Sequence, residues 1–181
     1  MGLIVNARTI FGIVERAKWM QIVRMFSYRE WSDSEDRVLR SIQEEAVPNE
    51  EIFLRKLVNA TVIRNQLYEH TSNESEEGAR HIVYAKPFNE NDLELYGAHI
   101  KAPLFEQCVR SACIEAEFLY WTETTMFQRR DALAPERELI EISQLLLDHY
   151  LILGGRTCET VYSVFDTDMN KVILYLREVE D

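Results

Sequence analysis

Along most of this chain the apolar residues recur at intervals of three and four, the spacing that lines one face of an α-helix, and helix-start residues stand before several of these runs. Ser32 followed by Glu35 reads as a capping box, with Val38, Leu39 and Ile42 at helical spacing behind it, and predicts a helix over about 33–46. Pro48, Pro103 and Pro135 each precede a longer periodic segment, where the missing N–H costs nothing at the first helical position. Acids follow each proline (Glu50 and Glu51, Glu106, Glu136 and Glu138), close to the positive end of the expected helix dipole. The stripe Phe53, Leu57, Ala60, Arg64 and Leu67 carries the helix after Pro48 to about His70. Phe105, Cys108, Ala112, Ala116, Leu119 and Met126 carry the next to Arg129-Arg130. Leu139, Ile142, Leu145, Leu146, His149 and Leu153 carry the last to Gly154-Gly155, which reads as a left-handed stop.

Three stretches break this rhythm. Segment 7–27 is apolar around most of a helix circumference and Arg-rich, which favours a basic N-terminal helix buried in the core or in an association interface over one that targets or lies on a membrane. The polar run Thr71 to Gly78 predicts a mobile loop, and residues 80–100 combine a β-like run (Ile82, Val83, Tyr84) with a short helix around 90–97. Residues 158–181 read either as a hairpin turning through Asp166 to Asn170, because Val161, Val164, Val172 and Ile173 favour strands, or as a helix; the lack of Gly at the turn tips the balance toward helix. No internal repeat is visible. The expectation is a mainly α fold, a single helical-bundle domain over 1–181 with six or seven helices and a small β element near 80–88 or at the C-terminus.

Composition supports one packed core, with 46% apolar and 10% aromatic residues in 181. Charge narrows the partners. The formal net charge is −11, and it is unevenly spread: the first thirty residues hold five basic groups against two acids, the rest fifteen against twenty-nine. An acidic body repels phosphate backbones, which disfavours nucleic acid and favours a protein partner with a basic surface. Cys108, Cys113 and Cys158 form no metal-ligand spacing and fit reduced thiols, and no run of about 18 apolar residues suggests a membrane span. Together these point to an intracellular, cytoplasmic protein.

Candidate chemistry is sparse. Asp166, Asp168 and Asn170 occupy alternate positions as in an EF-hand loop, but Lys171 stands where Gly is required and Arg177 where the bidentate acid belongs, so a polar turn or helix surface is favoured over calcium. Arg64-Asn65-Gln66-Leu67-Tyr68-Glu69-His70 resembles the Arg, short spacer, His motif of HEPN-type ribonucleases and toxins. That resemblance implies an all-helical dimer in which Arg64 steadies charge on phosphate and His70 acts as general acid or base. The structural alternative has Arg64 pairing with Glu51 or another acid. Glu115, Glu117 and Glu123 could form a carboxylate site, although a salt-bridged face explains them more simply. Trp19, Arg24, Tyr28, Arg29 and Trp31 bring the residue types of interface hot spots together. No cofactor or metal is expected. The preferred function is therefore a non-enzymatic interaction or regulatory protein that uses helix surfaces and an acidic face and forms a homo-oligomer; the ribonuclease or toxin comes second, and a helical enzyme with an unrecognised carboxylate site third.

Overall fold

The computed structural model describes residues 22–77, 80–93, 95–106, 109–129 and 137–179, and it corrects the expected fold class. The described residues form one mixed sheet of ten strands with only three short helices, and no helical bundle. In chain order these are β1 (Val23–Ser32), β2 (Arg37–Pro48), α1 (Asn49–Leu57), β3 (Ala60–Ile63), β4 (Gln66–Glu76), β5 (Arg80–Pro87), α2 (Gly97–Lys101), β6 (Glu115–Thr122), β7 (Met126–Arg129), α3 (Leu139–Leu147), β8 (Tyr150–Leu153), β9 (Arg156–Asp166) and β10 (Lys171–Glu178). The sheet runs β2-β1-β5-β4-β3-β9-β10-β6-β7, with β8 added alongside β9.

Two units of the same design make up this order. In each, a first strand pairs antiparallel with the second and parallel with the fifth, a helix follows, and a tight hairpin leads back to the fifth strand. The correspondence is close. Helices α1 and α3 both have 9 residues, β3 and β8 both 4, β4 and β9 both 11, and β5 and β10 both 8. From the helix through the hairpin the second unit trails the first by ninety residues (Asn49 and Leu139, Ala60 and Tyr150, Gln66 and Arg156). The hairpin turns match too: Arg64 and Asn65 in one, Gly154 and Gly155 in the other, all at positive φ between 53° and 79°, the conformation of a two-residue primed turn. An internal repeat thus exists where the residue pattern showed none.

The corrected elements keep much of their local chemistry. Ser32 accepts a hydrogen bond from the Glu35 N–H at 3.2 Å, as a cap would, but the turn it closes joins two strands, and 37–48 is β2. The helix after Pro48 stops at Leu57, so Arg64 and His70 belong to the β3–β4 hairpin. Residues 71–76 continue β4 in place of a loop, and Gly78 lies outside the described residues. Most of the helix expected from Pro103 to Arg129 is a 3-10 turn (Ala102–Phe105) followed by β6 and β7. The helix expected after Pro135, which itself lies outside the described residues, is present as α3 but ends at Leu147, and Gly154-Gly155 turns a hairpin and stops no helix. Residues 158–178 form the β9–β10 hairpin, the β-like run at 82–84 lies in β5, and 90–92 and 97–101 are short helical turns. Of the expected N-terminal helix over 7–27, residues 7–21 lie outside the described residues and 23–27 begin β1. No described helix is long and apolar enough to cross a membrane.

Packing follows from the repeat. Helices α1 and α3 lie against each other on one face of the sheet, where Leu54, Val58 and Ile142 bury against Phe165, Val172, Leu174 and Leu176. The opposite face of the second unit is covered by residues 88–93 and 95–104: Phe88, Leu93, Tyr96, Ile100 and Leu104 pack on Leu119, Phe127, Tyr162, Val164 and Tyr175. The Tyr175 hydroxyl donates to the Ile100 carbonyl at 2.8 Å, which pins this cover to the sheet. Gly97 makes the cover fit, because a Cβ there would stand 1.9 Å from the Glu90 carbonyl oxygen. Gly97→Ala is expected to cost at least about 1 kcal/mol in urea unfolding, since backbone must shift to admit the methyl.

Candidate functional site

The most distinctive chemistry in the molecule is a line of polar side chains inside the first unit. In the last turn of helix α1, Arg55 points down onto the sheet, 4% exposed, and its guanidinium lies over the rings of Phe26 and Phe165 at 5.3 Å and Tyr28 at 5.8 Å. Such a charge survives burial only if its hydrogen bonds are met. Nε donates to Glu51 at 2.8 Å, Nη1 to Glu45 at 2.8 Å, and Nη2 approaches Glu51 at 2.6 Å. Glu51 is thus the partner of Arg55, one helical turn on, and not of Arg64. Beneath the guanidinium, burial pushes the fully enclosed Tyr28 phenol up, with Arg55 opposing that shift.

The line continues through the sheet. The Thr61 hydroxyl lies 3.4 Å from the Tyr28 hydroxyl and 2.7 Å from His70 Nε2. Burial pushes His70 down to about 4, against the pull of its hydrogen bond with the Val58 backbone, so near neutral pH the imidazole is uncharged. The repeat shows that the fold does not need this arrangement. At the matching places the second unit has Phe118 for Tyr28, Leu145 for Arg55, Leu151 for Thr61 and Thr160 for His70, a far less polar set.

Arg55 also floors a cavity of about 550 Å3 walled by Glu45, Glu51, Arg110, Asp168 and Cys113, whose lining mixes acids with bases. Asp168 holds the two units together here: its carboxylate accepts the N–H groups of Arg64 at 3.1 Å and Asn65 at 2.7 Å, tying the β9–β10 turn to the β3–β4 turn. Asp166 braces the same turn by accepting from the N–H groups of Asp168 and Met169, so the alternating acids that resembled a calcium loop work as turn formers. A second cavity of about 390 Å3, lined by His99, Glu106, Leu119, Phe127 and Arg129, lies beside the cover of the second unit.

The residues singled out from sequence are dispersed. Arg64 is exposed at a hairpin turn, whereas His70 is half-buried in β4 against Thr61 and Tyr28, so the two do not converge on a cleft. Trp19 lies outside the described residues. Tyr28 is fully buried, Arg24, Arg29 and Trp31 are half-buried on β1, and Trp31 meets Tyr84 edge-on at 5.9 Å. Glu117 is paired with Arg129 and with Lys171 at 3.2 Å, Glu115 accepts from Ser111, and Glu123 sits in the exposed β6–β7 turn. Arg55 carries no distinctive signal because an Arg four residues after a Glu reads as an ordinary pair on a helix surface, and Glu45 and Thr61 sit on strands β2 and β3 with no local motif to mark them. No family model matches the chain, and neither does any curated protein or solved structure.

Proposed function

We propose that this is an interaction protein whose docking surface is the outer side of the α1–α3 layer and whose partner is a protein with basic residues around an apolar patch. The observation that carries the reading is the exposure of three large apolar side chains on these two helices: Phe53 at 58%, Ile140 at 53% and Leu147 at 64%. Both helices bury their other sides, with Ile52 and Leu54 on α1 and Ile142 on α3 in the core, so folding alone gives no reason for these three to be apolar. Acids border them. Glu50 on α1, and Glu138, Glu141 and Asp148 on or beside α3, are exposed, and the chain as a whole carries −11. Like charges around the patch repel a second copy, which favours a different protein of opposite sign over self-association.

Phe53→Asp combined with Leu147→Asp is the test, because both side chains already face water and the fold should tolerate the change. Partners captured from expressing cells are expected to be lost from the double variant and released from the wild type by salt, with unfolding curves unchanged. Retention of the same partners by the variant would sink the reading.

A further inference from the structure

The repeat predicts a strand pairing that the protein leaves unmade. In the first unit β3 pairs parallel with β9, Ala60 opposite Val164, Thr61 opposite Phe165 and Val62 opposite Asp166. Moving each unit onto the other would place β8 parallel to β4, with Tyr150 opposite Glu74, Leu151 opposite Ser75 and Ile152 opposite Glu76. Among the described residues β8 pairs with β9 alone, and β4 beyond His70 pairs with β5 alone. The reason is legible in the side chains. Where β3 and β9 set apolar residues together in the core, β4 offers Glu74 and Glu76 to β8's Tyr150 and Ile152, which are 59% and 77% exposed.

Two facing strand edges with unpaired backbone groups form a slot for a further strand. We infer that this slot binds an extended segment of a partner protein carrying Lys or Arg at alternate positions. Leu151 is buried toward the helices, so Tyr150 and Ile152 lie on the opposite face of the sheet; Glu74, whose carboxylate accepts the Tyr84 hydroxyl, is on that face as well. An incoming Lys or Arg on that face would lay its methylenes along Tyr150 and Ile152 and bring its charge to Glu74 and Glu76. The intervening side chains of the strand would turn toward Leu151 and Ser75, where small or apolar residues fit.

This slot lies in the sheet, away from the exposed side of the helices, so either surface can fail without the other. The test uses a capped heptapeptide alternating Lys and Val, titrated into the full chain and followed by amide NMR. Shifts are expected at residues 72–76 and 150–153, with binding weakened at least about tenfold in Glu76→Lys and absent for the same peptide with Glu in place of Lys. A peptide N-methylated at alternate residues keeps the charge but loses strand donors, and it should not bind. Equal binding of the methylated peptide, shifts centred elsewhere, or no binding of the Lys-Val peptide would each overturn the inference.

Discussion

Arg55→Ala is expected to lower the unfolding free energy by about 3–5 kcal/mol, the range found when one partner of a buried charge pair is removed. Glu51 and Glu45 differ in what they lose. The Glu51 side chain is only 14% exposed and would be left as a buried anion, whereas Glu45, at 37%, can turn to water. The three rings beneath the guanidinium would also lose their cover and leave a cavity. Two further variants separate these causes. Arg55→Met refills the volume but still strands Glu51, so most of the loss should persist; Arg55→Met with Glu51→Leu removes both charges and should recover much of it. A double variant as unstable as Arg55→Ala would show that the ion pair matters less than the shape. Urea titration with a constant m-value is the measurement.

The second large effect is a pH dependence centred on His70. Its folded value of about 4 lies below the ordinary 6.5, so between these values the unfolded chain binds a proton that the folded one refuses. Stability from this group is therefore complete above pH 6.5, falls as the pH drops, and levels off below about 4. The loss amounts to about 2 kcal/mol by pH 5 and about 3 kcal/mol in full. His70→Gln keeps a polar group within reach of Thr61 but cannot titrate. Its stability should stay flatter than wild type between pH 7 and 5, and parallel curves for the two proteins would show that His70 is not the group responsible.

Particular residues show why the sequence misled. Helical spacing and bulged strands look alike, because a bulge inserts one residue and turns an interval of two into three. Such irregularities insert Leu39 and Ile42 into β2, inside the run over 33–46, and Val161 into β9, inside the run over 158–181, while a further one at Thr71 falls where the helix expected after Pro48 was to end. Strands β9 and β10 add a second disguise. Phe165, Val164, Ile173 and Leu174 are buried on both faces of the sheet, so the alternation that marks a half-exposed strand is missing. The duplication was hidden because its halves share shape more than residues: Arg64-Asn65 and Gly154-Gly155 make the same turn from different chemistry. What could be read was local, namely the apolar spacing of α3, the β-branched run in β5 and the turn-forming acids at 166–170. Of the polar line, His70 stands out in the sequence as a candidate acid or base and Tyr28 as a contact residue, but their packing depends on Arg55, Thr61 and Phe165 arriving from distant parts of the chain.

The β3–β9 ladder has a consequence for synthesis. Asn59 and Ser163, which hydrogen-bond beside that ladder, lie 104 residues apart, so at about 5–20 residues per second the ribosome delivers the second several seconds after the first. Throughout that delay Ala60, Thr61 and Val62 lack their neighbour, and Arg55 lacks the Phe165 ring that completes its enclosure. The nascent first unit must wait with one sticky rim uncovered. A rim only four residues long is a poor template for stray chains, which is how a protein split across two halves can emerge without tangling.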